Sequence, residues 1–484
     1  MAHKSEEREV GFLVGAKQYV LSIEGLPSAR INDIVADREG NRALVRALAD
    51  DHIVALALDP VYPRVGEEYS FLPHPHLFSL GEHLFGRVVN ALGEPFDGKE
   101  SFPPGNQGLA LDVDAPGIDA RVTASRQLHT GVTLVDTLLP IAMGQRQLIY
   151  GQGHGGKTTF LIDAVRYQRE RGTICIYAIL GKPLAALEHA SRTLLANGGT
   201  NTIVLAALSD QPPPRIAIAP SVAYLIADHF QRKGRDVLIV LDNLDVHAKY
   251  LREVALLEGR LPGRESYPGD LFYQHAHLLE RSGCFTKELG GGTITSLPVA
   301  ETDIDSFSNI IYTNLMACTD GHLSFLSALR AEGVYPAVSE EQSVTRLGRK
   351  VQPLVQKQLS ARIRMLLGIY RERRAYSQFG AEPGGEVQES LREGESIEYV
   401  LRQEPGSAIA PEAQVPLLAL ILTPFAKKRD VAFFERNTPA LVAALSSAPE
   451  FAELRTRAMQ DITLDEYLSL VERAESAFVA VCRE

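Results

Sequence analysis

A multidomain α+β chain is predicted from the sequence: an N-terminal β-barrel, a central α/β domain and a C-terminal α-helical bundle. Three observations predict it. Short alternating apolar stretches divided by turn residues fill the first 76 residues, apolar runs alternate with helix-like segments from Leu84 to about Arg349, and past residue 350 the strand signal gives way to helical spacing. The segments are 1–76, 77–350 and 351–484. A chain of 484 residues is too long for a single core, so several domains are expected.

In the first segment, Tyr19-Val20-Leu21-Ser22-Ile23 and Ala43-Leu44-Val45-Arg46-Ala47-Leu48 read as strands, with Asp37-Arg38-Glu39-Gly40-Asn41 as a turn between strands. Short strands at close spacing predict a small antiparallel barrel or sandwich. Leu72-Pro73-His74-Pro75-His76 punctuates the chain and marks the first boundary. Apolar runs follow at Gln147 to Tyr150, Thr173 to Leu180, Thr202 to Leu208 and Val237 to Leu241, with helical segments between them. Such alternation predicts a mostly parallel sheet covered by helices, with ligands at the carboxyl ends of the strands. In the last segment Thr463 and Glu466 have capping-box spacing ahead of Leu464, Tyr467, Leu468 and Val471.

The chemistry centres on Gly151-Gln152-Gly153-His154-Gly155-Gly156-Lys157-Thr158, which fits GxxxxGK[ST] between an apolar strand and a helix. Glycines let backbone N–H groups approach phosphate oxygens, Lys157 adds a positive charge, and the Thr158 hydroxyl can hold Mg2+ beside the helix N-terminus. His154 reads as a solvated loop imidazole or a phosphate contact. The apolar strand Val237 to Leu241 ends in Asp242, a carboxylate suited to the metal of a bound nucleotide.

Composition narrows the function. A net charge of -11 argues against nonspecific nucleic-acid binding. The four cysteines, Cys175, Cys284, Cys318 and Cys482, lie far apart with no metal-ligand spacing and read as reduced thiols. The charged start MAHKSEEREV has no signal-peptide core, and no apolar run approaches a membrane span.

Four further stretches carry a resemblance: Gly144 to Ile149 (GQRQLI), Leu261 to Asp270 (LPGRESYPGD), Ser296 to Thr302 (SLPVAET) and Ser343 to Gly348 (SVTRLG). With Gly86-Arg87-Val88-Val89 and Gln378-Phe379-Gly380, they resemble the F-type ATP synthase family, and within it the alpha subunit, from about Val10 to the C-terminus. The resemblance implies a RecA-like central domain that binds ATP or ADP with Mg2+. It also implies an alternating hexamer with beta-type catalytic subunits around a gamma-type shaft, and contact with a delta-type stalk subunit. The complex would lie peripherally on the cytoplasmic face of the cell membrane, reaching the membrane only through an ion-driven rotor sector that carries protons or sodium.

The same resemblance separates roles within the ring. Catalytic relatives have a water-activating glutamate after the strand beside the phosphate loop; here Gly181-Lys182-Pro183 follows, and Lys182 takes the place. An ammonium cannot accept a proton from water. Lys182 reads as a phosphate contact or a solvated loop lysine, and either reading leaves the base missing. In Ser343-Val344-Thr345-Arg346, Ser343 and Arg346 match the segment whose arginine reaches a neighbouring beta-type site, while the alternative for Arg346 is an ordinary salt bridge. Gln403 matches one of two glutamines near the adenine, and Pro405 takes the place of the other.

Several positions depart from the family pattern. The interior of the phosphate loop differs, Asn243 replaces a second aspartate, and Tyr335 to Glu341 is closer to the beta type. About nine residues precede the barrel, so altered stator attachment is expected. The resulting expectation is a divergent, non-catalytic alpha-type subunit. Two alternatives stay in view. A self-sufficient export-type hexameric ATPase needs a base at Lys182, and an RNA-binding translocase needs a basic barrel where Asp33, Asp37, Asp50, Asp51, Asp59, Glu67 and Glu68 stand. A structural subunit that has lost nucleotide binding is a third.

Overall fold

A computed structural model describes residues 9–60, 62–72, 77–105, 107–108, 111, 113–261, 263, 266–301, 310–377 and 385–482. The boundary expected at 73–76 lies outside the described residues, as do Pro262, Arg264, Glu265, Thr302 and Gln378-Phe379-Gly380 of the family stretches. The chain divides into two compact units: Met1–Thr123 with Arg171–Thr319, and Ala124–Glu170 with Asp320–Glu484.

The first unit begins with six strands: β1 (Val10–Lys17), β2 (Val20–Glu24), β3 (Ile34–Asp37), β4 (Arg42–Leu48), β5 (Ile53–Ala57) and β6 (Glu68–Phe71). They close a barrel in the order β1-β2-β5-β4-β3-β6, so no sheet edge is left open. Period-two alternation sends Leu13, Leu21, Ile23, Val35, Val45, Ile53 and Tyr69 inward. Gly11 faces the core where β1 crosses β2; a Cβ there would lie 2.7 Å from the Glu24 carbonyl oxygen. The predicted turn is held by Asp37, whose carboxylate accepts the N–H groups of Glu39 and Asn41 at 2.9 Å.

The rest of this unit is built on a mostly parallel sheet. Arg87–Asn90, Thr202–Leu208, Ile174–Lys182, Val237–Asp242 and Thr293–Glu301 pair in that spatial order. The run Val237–Asp242 is buried throughout, as expected of strands covered on both faces. Helices Leu184–Leu194, Pro213–Gln231 and Leu244–Leu257 follow successive strands. Asp59 ties the barrel to this part: it pairs with Arg42 at 3.0 Å and also with Arg215. Burial alone would raise its carboxyl, but the Arg42 hydrogen bonds outweigh that and hold it below the usual range.

In the second unit, Gln147–Gly151 runs parallel to Gly321–Phe325, which pairs antiparallel with Val338–Thr345. Gln127–Leu128 and Ile141–Ala142 form a short antiparallel pair, and the remainder is mostly helical, with Leu354–Ser377, Gly385–Leu401, Pro411–Ile421 and Val431–Ser447 as its longer members. The capping box is formed: the Glu466 N–H donates to the Thr463 hydroxyl at 3.3 Å and the Thr463 N–H to the Glu466 carboxylate at 3.1 Å. Asp136 explains why residues 124–170 pack with this bundle. Its buried carboxylate accepts the N–H groups of Thr130 and Gly131 at 2.7 and 2.9 Å and the Gln414 amide at 3.0 Å.

Candidate functional site

In the second unit, the phosphate loop leaves the buried strand Gln147–Gly151 through Gly151 at φ 143. A Cβ at Gly151 would lie 2.0 Å from the Phe325 carbonyl oxygen on the neighbouring strand, so the close strand pairing requires glycine. Exposed His154 sits at φ 61, and Gly156, at φ 87, precedes the helix Lys157–Arg169. The first N–H groups of that helix have no intrahelical acceptor and face the loop, the arrangement that binds anions. Lys157 is 7% exposed, and its ammonium donates to the carbonyls of Gly151 at 2.8 Å and Gln152 at 2.6 Å. It thereby braces the loop from within. The Gln152 side chain accepts from the Ser327 hydroxyl, and Thr158 is half-buried on the first helical turn.

Asp242 ends its strand in the first unit at 3% exposure. The Tyr177 hydroxyl donates to its Oδ2 at 2.8 Å, and the Lys182 ammonium donates to its Oδ1 at 2.5 Å. Parallel pairing of Ile179 with Asp242 creates this cluster by bringing the end of one strand beside the end of the next. Burial first, and then the Asp242 charge, push the Tyr177 phenol far up. Lys182 is therefore not the solvated loop lysine that is one reading of the sequence; it is the ion-pair partner of Asp242. With an ammonium on one oxygen and a phenol on the other, this carboxylate does not fit the role of a Mg2+ ligand. Asn243 is 2% exposed, and its Oδ1 has no hydrogen-bond partner among the described residues. Those residues also contain no cluster of three or more His, Cys, Asp or Glu side chains suited to a metal.

The remaining expected residues lie in the second unit. Ser343 is buried: its hydroxyl accepts the Ser324 N–H at 2.9 Å and donates to the Ser339 carbonyl at 2.5 Å, pinning the Gly321–Phe325 and Val338–Thr345 strands together. Arg346 follows directly, exposed, and forms no ion pair or hydrogen bond with a described residue. Gln403 does not take up the arrangement expected of an adenine contact. Its Oε1 accepts the Thr133 N–H and hydroxyl, both at 3.0 Å, and its amide donates to the Gly131 carbonyl at 2.7 Å and to that of Ser407.

Tyr177 is a member of the cluster that sequence reading does not single out. A signal is present, because a tyrosine inside the wholly apolar run Ile174 to Leu180 needs a partner for its buried hydroxyl.

A parallel sheet carrying a glycine-rich loop that opens a helix, with a barrel and a helical bundle in the same polypeptide, defines a phosphate-loop nucleotide-binding protein. Residues 131–345 match the family model of the nucleotide-binding domain of the ATP synthase alpha/beta family, and residues 352–470 match that of the family's C-terminal domain. The protein belongs to the F-type ATP synthase alpha/beta family, as an alpha-type member. It is 37% identical to ATP synthase subunit alpha of Dictyoglomus thermophilum over 84% of its own length and 80% of that protein. ATP synthase subunit alpha 2 of Syntrophotalea carbinolica is 32% identical over 99% of the present sequence and 92% of its own. For ATP synthase subunit alpha 1 of Shewanella frigidimarina the identity is 31%, over 95% and 89% respectively. Among the described residues no helix is long and apolar enough to cross a membrane.

Proposed function

We propose that this protein is the regulatory, non-catalytic alpha-type subunit of an F-type rotary ATPase. It holds ATP or ADP without turning it over and completes the catalytic site of a beta-type neighbour. The pairing of Lys182 with Asp242 at 2.5 Å is the observation that carries this reading. Where a catalytic subunit needs a carboxylate to accept a proton from water, this one has an ammonium-bearing side chain already bound to a carboxylate. Gly151, Gln152, Gly153, His154, Gly155, Gly156, Lys157 and Thr158 supply the phosphate cradle.

Arg346 acts outside its own subunit. An exposed guanidinium that forms no ion pair with a described residue is available to an anion on another subunit. Stabilising charge on a transferring phosphoryl group there would be worth about 10^3 to 10^5 in rate. Ser343, with its hydroxyl engaged between two strands, positions the segment that carries Arg346. The three sequence segments 1–76, 77–350 and 351–484 are proposed as barrel, nucleotide-binding and helical domains. Beta-type subunits alternating in a hexamer, a gamma-type shaft and a delta-type stalk contact are the proposed partners. The complex lies on the cytoplasmic face of the membrane, meets it through the rotor sector, and couples ATP turnover to proton or sodium transport.

Steady-state ATP hydrolysis by the pure protein, by its mixture with beta-type and gamma-type subunits of the same organism, and by the mixture carrying Arg346→Ala tests the reading. No turnover alone, activity in the mixture and its collapse with Arg346→Ala are expected. Robust turnover by the pure protein would overturn it and favour a self-sufficient hexameric ATPase.

A further inference from the structure

The geometry points to Lys182 as a built-in cation: its ammonium neutralises Asp242, so that this protein takes ATP or ADP without a divalent cation at that carboxylate. The inference rests on the nucleotide-holding reading above and deepens it. In phosphate-loop proteins the carboxylate at the end of this strand serves Mg2+. Here both of its oxygens are engaged, Oδ1 by the Lys182 ammonium at 2.5 Å and Oδ2 by the Tyr177 hydroxyl at 2.8 Å.

Burial makes this arrangement hard to displace. Asp242 is 3% exposed, so an uncompensated charge on it would be strongly penalised. Lys182 supplies the compensation from within the molecule. Mg2+ demands near-octahedral oxygen ligands at about 2.0–2.1 Å and gives up its waters reluctantly, so it cannot share an oxygen with an ammonium at hydrogen-bond distance without strong repulsion. Tyr177 locks the carboxylate from the other side, its hydroxyl donating to Oδ2. Two of the three N–H groups of the ammonium make no hydrogen bond to a described residue, and the side chain keeps 22% of its surface. They are donors for an anion. A neutral side chain at this position would leave Asp242 available to a metal; lysine adds one positive charge in its place.

Equilibrium dialysis of ATP against the intact protein, once in excess Mg2+ and once in EDTA, tests this without any variant. Affinities differing by less than about fivefold are expected. A loss of more than about fivefold in EDTA would overturn the inference while leaving nucleotide binding intact. Lys182→Gln should raise the EDTA penalty above about tenfold, and Asp242→Asn added to it should remove that regained dependence. An unchanged Mg2+ dependence in a folded Lys182→Gln protein also counts against the proposal. Absence of binding in both buffers overturns the nucleotide-holding reading itself, and this inference with it.

Discussion

The Tyr335 hydroxyl donates to the Asp163 carboxylate across 2.7 Å, joining the approach to the strand Val338–Thr345 to the helix that follows the phosphate loop. The same oxygen accepts the Gly406 N–H at 2.9 Å. Tyr335 is buried, and burial, the hydrogen bond to Asp163 and its charge all raise the phenol. The loop helix is thereby fixed to two segments more than 150 residues away in sequence. Tyr335→Phe takes one of two donors from a nearly buried carboxylate. The expected loss is about 1.5–3 kcal/mol, read as a lower urea midpoint with unchanged slope. A midpoint equal to that of the wild type would show the bond to be idle.

Two glycines of the phosphate loop should respond differently to an added methyl group. Gly151→Ala drives a Cβ to 2.0 Å from the Phe325 carbonyl oxygen at a φ of 143, combining a backbone clash with a strained conformation. Gly156, at φ 87, has open space, its nearest neighbour being the Arg330 Cδ at 3.9 Å. Gly156→Ala should therefore cost about 1–2 kcal/mol from conformation alone, and Gly151→Ala about 2–5 kcal/mol from both effects. Thermal unfolding of the two variants side by side gives the order, and the reverse order would refute the clash.

Acid should weaken the first unit through two histidines. His247 and His275 lie with ring centroids 5.8 Å apart and ring planes tilted by 32°, 4% and 1% exposed. Burial lowers His247 to about 4, partly opposed by its bond to the Ala217 carbonyl. Burial and then the neighbouring His247 lower His275 to about 3, and neither of its ring nitrogens has a hydrogen-bond partner among the described residues. The sign follows from linkage: below about 6.5 the unfolded state takes up protons that the folded state refuses, so stability falls as pH drops toward 4. Each histidine contributes a slope of at most about 1.4 kcal/mol per pH unit. Urea midpoints between pH 7 and 4.5 should decline, and His275→Leu should flatten the decline. An identical slope in that variant would assign the effect to other groups.

What was legible in the sequence was whatever depends on neighbours along the backbone. Thr202–Leu208 forms a strand over the residues expected because an apolar run between polar ends has one way to be buried, and Thr463 with Glu466 caps a helix because both partners lie within one turn. The phosphate loop was legible for the same reason. The role of Lys182 was not, because its partner is 60 residues away and meets it only through the register of two parallel strands. Nor could local pattern show that residues 124–170 pack with the bundle, a choice made by contacts such as Asp136 with Gln414 across 278 residues.

Gln403 marks the same limit inside the site, and it carries a last prediction. Resemblance assigns it to the adenine, yet its side-chain oxygen is taken by Thr133 and its amide by the carbonyls of Gly131 and Ser407. An amide has two acceptor lone pairs and two donors, and all four are in use. Reading a base would require breaking bonds that hold residues 131–133 against 403–407. Gln403→Ala should therefore act on the fold, lowering stability by about 1–3 kcal/mol as the Thr133 and Gly131 groups lose their partners. The ratio of ATP to GTP affinity should stay within about twofold of the wild type. Calorimetric unfolding and competitive binding of the two nucleotides on one preparation separate the two roles: a changed ratio with unchanged stability would return Gln403 to the adenine, and a lower unfolding temperature with the ratio intact keeps it as the clamp.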